Sequence, residues 1–398
     1  MKNLCKKSGI IGVLAGFIIL MFLCPASAEP VPIKVGLLAP MTGPSPDWGK
    51  KQIVGMELAV EKINLRGGVN GTPVEMYALD TGGNPEKAIE AYRELADSDK
   101  VVAVIGPLFS GTFAMLRPVT NEEKVPIIAT ASAKPGLSDL KVYPYAFRMT
   151  VSSEKKEGAV AQAWVKANNV KTVAIVYDRK NNFTRALGDK VWPRIFKNQN
   201  VKVLDLDVPI TFETGEKIYS EQVKKLKALK PDGICIAAFP FEAGYLIKEI
   251  RLAGLKQPIL GGSATATSTT IQVAGEAAEG MWSNALFNAS DPNPNVSKYV
   301  KAFSKRCKEK YADMECEPEQ FDVVVYDILN FLVDIMKKKG VTSSPDQLQE
   351  NRNKIRAGLE GMKMWRGTAG MMAFDKKGDG IRTIHIFKVK NGKWEPVY

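Results

Sequence analysis

Short runs of β-branched and aliphatic residues alternate with amphipathic stretches along most of this chain, and that alternation constrains the fold more than any other feature. Ile33 to Ala39, Val74 to Leu79 and Val101 to Ile105 read as strands, with Gly49 to Asn64 and Pro85 to Ala96 as the helices between them. Ile53, Met56, Val60 and Ile63 recur at three- and four-residue steps, so one helix face rests on a sheet. Val101, Val102, Val104 and Ile105 leave no polar face, as in a parallel strand covered on both sides. A doubly wound α/β lobe is predicted.

The pattern restarts after Arg148: helix Glu154 to Asn168, strand Thr172 to Tyr177, helix Asn182 to Lys197, strand Val201 to Val208, helix Gly215 to Leu229, strand Gly233 to Phe239, helix Glu242 to Ala253 and strand Pro258 to Leu260. A second α/β lobe of parallel strands is therefore expected. Two long helical patterns follow, Asn295 to Tyr311 and Pro318 to Lys338, the latter with Phe321, Val324, Ile328, Phe331 and Ile335 on one stripe and Pro318 in its first turn. The end, Thr368 to Tyr398, returns to short strands, and Asn391-Gly392 marks a hairpin.

Met1 to Ala28 combines Lys2, Lys6 and Lys7 with an apolar run from Ile10 to Cys24 and the small residues Ala26-Ser27-Ala28. This is an export-signal pattern with cleavage expected after Ala28, and the apolar run is short for a span of a ~30 Å hydrocarbon core. Leu23 stands where a lipoprotein signal has a small residue, which argues against a lipid on Cys24. The predicted location is extracytoplasmic, in the periplasm. Of 398 residues, 370 remain without the signal, enough for two domains with independent cores.

The chain carries +12, or +9 without the three signal lysines. Such a balance favours anionic ligands or surfaces, but Lys and Arg are spread over helical patterns such as Ser220 to Lys230 instead of forming a stripe interleaved with aromatics, so nucleic acid is not an expected partner. Cys235 lies in an apolar strand and reads as a small core residue. Cys307 and Cys316 are nine positions apart, and an oxidising compartment permits a disulfide; the spacing alone leaves the bridge open.

The catalytic inventory is thin. His385 is the one histidine, alternating with Thr383 and Phe387 in a late strand. Gly106 to Thr112 has the glycine spacing of a phosphate loop, but Thr112 stands where a lysine must reach the phosphates. No nucleophile elbow, zinc-site spacing or dinucleotide fingerprint is present, so neither an enzyme nor a cofactor is expected; paired carboxylates, which leave no local signature, keep a glycosidase formally open.

Several segments together resemble the leucine/isoleucine/valine-binding family, the substrate-binding proteins of ABC importers with the type I periplasmic-binding-protein fold. They are Ile33 to Pro44, Ile63 to Gly71, Val104 to Pro107, Ala274 to Gly280 and Phe374 to Gly380, in the family's order and across essentially the whole mature chain. The resemblance implies two lobes joined by three crossings, here expected near Thr150, Asn284 and Met364. Lobe 1 then comprises residues 29–150 and 284–363, and lobe 2 residues 151–283 and 364–398.

It also implies a cleft between the lobes that holds a ligand. Ser110, opening a helical stretch after a strand, suits a ligand carboxylate or serves as a plain helix cap. Ala131-Ser132-Ala133 matches the family's second carboxylate and ammonium segment, with Ala133 where relatives commonly have Thr. Phe183, Phe239 and Ser263 fall where relatives place aromatic and acidic contacts, with Phe241 close by; Trp48 and Phe109 sit in loops that the family points at the cleft. Arg148 either complements ligand charge or braces the hinge.

Ser263 departs most from the pattern, since branched-chain amino-acid binders resembling this chain have glutamate there for the ligand's ammonium. A buried ammonium without an anionic partner costs several kcal/mol, against the ~8 kcal/mol of micromolar affinity, so an ordinary amino acid fits poorly unless Glu242 or Asp178 swings in. The expected function is extracytoplasmic capture of an amino acid or a related small organic carboxylate, aromatic or aliphatic, and delivery to a membrane permease. The alternative is a ligand-sensing regulator of the same fold.

Overall fold

The computed structural model describes residues 30–397 apart from 205. The proposed signal and its cleavage site lie outside the described residues. Two parallel sheets organise the rest. The first has the order Val74–Asp80, Ile33–Ala39, Ala103–Ile105, Ile127–Ala129, Ala146–Arg148, parallel throughout. The second runs Lys393–Pro396, His385–Lys390, Trp282–Ala285, Ile259–Gly261, Gly233–Ala237, Thr172–Asp178, Lys202–Val203, with Ile210–Phe212 also on Thr172–Asp178. Its core strands are parallel, and the last two strands of the chain join antiparallel as a hairpin turned by Asn391 and Gly392, both at positive φ.

Each sheet is covered on both faces, which is why its strands carry no polar side. One face of the first sheet packs on the helices Pro46–Leu65, Pro294–Lys310, Gln320–Lys339 and Leu348–Glu360; the other packs on Pro85–Arg93 and Ser110–Glu123. Helix Gln320–Lys339 is the most deeply set, with the expected apolar stripe buried and a capping box between Glu319 and Asp322. It starts at Gln320, so Pro318 precedes the first turn. Trp164, Trp192 and Phe196 fill one face of the second sheet, and Leu246, Ile247 and Ile250 anchor the other. Burial of each such side chain contributes ~2–3 kcal/mol.

The expected strand Val201 to Val208 is much shorter. Among the described residues the strand there spans Lys202–Val203, with the Leu204 amide also bonded to the Val173 carbonyl, and Leu206 and Val208 are exposed; pairing resumes at Ile210–Phe212. Asn182 to Lys197 is likewise two short helices joined by a wide turn at Leu187–Val191, where Gly188 lies against the Tyr177 ring. Cys307 and Cys316 form a disulfide with Cα atoms 5.6 Å apart, and Cys235 is buried in its strand.

The third passage between the sheets comes later than near Met364. Strands Trp365–Gly367, Gly370–Phe374 and Gly380–Arg382 form a separate small sheet whose Met372 and Phe374 join the first core, with Phe374 5.3 Å from Phe147. The chain reaches the second sheet only at His385. No change of composition marks that switch, because both sets of strands are short and alternate. Arg382, at the passage, is buried and donates to the carbonyls of Met149 and Leu286, which flank the other two passages.

Candidate functional site

The carboxyl ends of both sheets face a cavity of about 270 Å³. Open α/β sheets place ligands there because the loops and helix N-termini that follow the strands present unpaired N–H groups.

On the first wall, strand Ala103–Ile105 runs into Gly106-Pro107, a cis peptide, then Leu108 and Phe109, and helix Ser110–Glu123 begins. Gly106 has φ +104°, and a Cβ there would stand 2.3 Å from the carbonyl of Leu38, so the strand can turn this tightly only at glycine. Phe109 gives the helix no side-chain cap, and the first-turn amides lack intrahelical acceptors. Ser110 Oγ accepts from the Lys134 amide at 3.2 Å and keeps its own proton to donate. Thr112 Oγ1 is buried, lines the cavity and has no hydrogen-bond partner among the described residues. Together these groups form a pole of donors at the positive end of a helix dipole, suited to an oxyanion.

Trp48, Phe109, Ala131 and Phe321 complete this wall, and Phe183 and Phe239 come from the other. Trp48 meets Phe239 edge to face at 5.2 Å and Phe321 at 4.4 Å, while Phe109 stacks on Phe239 at 5.8 Å. The walls also touch where Gln320 Nε2 donates to the carbonyl of Ser263 at 3.0 Å. At the rim, a Cβ on Gly111 would lie 2.6 Å from Asn182 Nδ2.

Ser132, Ala133 and Phe241 do not line the cavity. Ser132 is fully buried and donates to Leu108, bracing the turn behind it; Ala133 is packed in the interior; Phe241 is half exposed outside. Arg148 is a brace: it clamps Asp379 with two bonds and donates to the carbonyls of Ser132 and Lys134, each at 2.7 Å. His385 is a strand residue of the second sheet, remote from the cavity lining.

The second wall holds the largest surprise. Lys156, in the first turn of helix Ser153–Asn168, is only 4% exposed and lines the cavity. Burial lowers its pKa to about 8, against the opposing pull of Glu157. Lys155-Lys156-Glu157 reads as a solvated charge run, but Lys156, Val160 and Trp164 follow at four-residue steps on the buried face, and that spacing was the available signal. Glu157 is fully buried behind Ser263, accepting from the Ser263 amide at 3.1 Å and Asn284 Nδ2 at 2.8 Å, and burial raises its pKa.

The acids considered as ammonium partners are engaged elsewhere. Asp178 accepts from Thr214 Oγ1 at 2.5 Å and the Lys180 amide at 2.9 Å, and Glu242 accepts from the Gly215 amide at 2.9 Å. Among the described residues no Asp or Glu lines the cavity, whereas Lys156 and Lys180 do. Lys180 stands at the exposed rim and pairs with Glu213 at 2.7 Å.

Residues 32–393 match the family model described as periplasmic binding protein. The chain belongs to that family. Its members bind ligands without transforming them, and this chain is not an enzyme. It is 24% identical, over 87% of either chain, to the leucine-, isoleucine-, valine-, threonine- and alanine-binding protein of Pseudomonas aeruginosa. A leucine-binding protein of Thermotoga maritima superposes with a TM-score of 0.79 at 25% identity, covering 92% of this chain and 98% of that one. A solute-binding protein of an ABC transporter from R. palustris, in complex with benzoate, superposes with a TM-score of 0.77 at 21% identity, covering 92% and 95%. The type I periplasmic-binding fold is thus the fold of this chain.

Proposed function

We propose that this protein is the extracytoplasmic substrate-binding component of an ABC importer, and that its cargo is a small organic carboxylate with an apolar, preferably aromatic, body. The observation that carries this reading is the cavity lining: aromatic walls, a helix N-terminus with two hydroxyls, a buried ammonium, and no carboxylate. A zwitterionic amino acid would strand its ammonium beside Lys156, at a cost of several kcal/mol, while a carboxylic acid needs no anionic partner. The ligand bridges surfaces from both halves, so it favours the state in which they are together, and a permease that recognises that state receives the cargo. Amino-acid binders among the relatives support the role of a small-molecule binding protein, and the benzoate-bound transporter component supports an aromatic carboxylate as cargo.

Thermal-shift screening of the protein from Glu29 onward tests the reading against benzoate, hexanoate, phenylalanine and leucine. Saturation at about 100 times Kd adds roughly 2.7 kcal/mol of stability. The acids are expected to stabilise and the amino acids not; best stabilisation by leucine overturns the carboxylate assignment. Export is tested by N-terminal sequencing of the periplasmic protein, which should begin at Glu29.

A further inference from the structure

Lys156 is not used by a ligand with a single carboxylate seated on helix Ser110–Glu123. Its ammonium is buried, lines the cavity, and makes no hydrogen bond or ion pair among the described residues; it lies over the Phe183 ring, 5.6 Å from the centroid. Glu157, adjacent in sequence, does not pair with it, because that carboxylate accepts from Ser263 and Asn284. Burial of a lysine without a partner is costly, and the cost is recovered when an anion is delivered to it. The opposite wall offers its own oxyanion pole, the first turn of helix Ser110–Glu123 with Ser110 and the unpartnered Thr112 hydroxyl. The rings of Trp48 and Phe239, 5.2 Å apart, line the same cavity. A cavity with a donor pole on each wall and aromatic rings in its lining is matched by a molecule that is acidic at both ends.

Resting on the carboxylate reading above, the geometry points to a dicarboxylate as the cargo, one carboxylate on the helix N-terminus of the first wall and the second on Lys156. Lys156 is then the residue that selects two-headed acids over one-headed ones.

Matched pairs of probes decide this by calorimetry: terephthalate against benzoate, and adipate against hexanoate. In the unaltered protein one or both dicarboxylates bind ~10–100-fold tighter than the matched monocarboxylate, the range for a buried charge-assisted hydrogen bond. In Lys156→Met that gap closes to within about threefold, while affinity for the monocarboxylates is unchanged or improved. Lys156→Gln, which keeps a donor but no charge, falls between the two. Equal affinity for one- and two-headed acids in the unaltered protein overturns the inference and leaves the carboxylate reading intact. Equal weakening of benzoate and terephthalate by Lys156→Met also overturns it, since one carboxylate would then bridge both poles. Binding of leucine with no binding of any acid overturns the carboxylate reading itself.

Discussion

The two walls of the cavity present hydrogen-bond donors by different means. The first uses main chain: a tight turn at Gly106 aims a helix end at the cavity, and Ser110 and Thr112 add hydroxyls to its amides. The second uses one side chain, Lys156, on a helix that otherwise packs Val160 and Trp164 into the core. A main-chain pole depends on the fold and accepts any carboxylate, whereas a side-chain pole changes with a single codon. On the proposed reading, general affinity then resides in the first wall and selectivity in the second.

The largest expected effect breaks the first wall. Ser110→Ala combined with Thr112→Val removes two donors from the common pole, and titration should find every carboxylate weakened ~100-fold or more, one-headed and two-headed alike. A loss confined to one class would contradict the division of labour. Ser263→Glu tests the second wall by adding an anion to the cavity that Lys156 also lines: leucine affinity should rise by about tenfold or more and acid affinity fall, since the new carboxylate can receive an ammonium and repels an acid. Unchanged leucine affinity would mean that Ser263 is not the position that excludes amino acids.

Protonation sharpens the contrast. Lys156 has its pKa lowered to about 8 chiefly by burial, with Arg148 and Arg382 pushing the same way and Glu157 opposing them. On the dicarboxylate inference, the second carboxylate is held well below that pH, where Lys156 is charged. Above it, affinity for dicarboxylates should drop by up to about tenfold per pH unit, while that for monocarboxylates and for Lys156→Met stays flat. The folding linkage has the opposite sign: the pKa is depressed from 10.5, so the unfolded chain holds the proton more tightly, and the ligand-free protein gains stability as pH rises from about 8 to 10.5. The smallest effect on ligand comes from replacing both Cys307 and Cys316, which do not line the cavity, by alanine. Denaturant unfolding should show a loss of about 2–3 kcal/mol from the opened loop, with Kd unchanged.

The doubly wound architecture was legible because both sheets are covered on two faces, which writes unbroken apolar runs such as Val101 to Ile105 into the chain. Trp48, Phe109, Ser110, Ala131, Phe183, Phe239 and Ser263 were expected at the cleft and do converge on one cavity. What stayed hidden depends on tertiary contacts. Ser132 and Ala133 are adjacent to a lining residue but are held inside by contacts distant in sequence, Ser132 through its bond to the Leu108 carbonyl and Ala133 through its carbonyl, which accepts from the Ser153 amide. Phe321 was assigned to the core stripe, and it serves both core and cavity. Lys156 was concealed by its charge, since a lysine in a charged run is solvated far more often than buried. The strands from Trp365 to Arg382 pack on the first core, although a boundary near Met364 puts them with the second half, since nothing local distinguishes a strand that packs on one core from a strand that packs on another.

Arg382 ties the three connecting segments together, lying on one and gripping the carbonyls of Met149 and Leu286 beside the other two. A sideways slip of one half against the other would strip a buried cation of its acceptors, whereas rotation about an axis through the guanidinium leaves them in place. The arginine is thus a clasp against shear, placed on one connecting segment and bonded beside the other two.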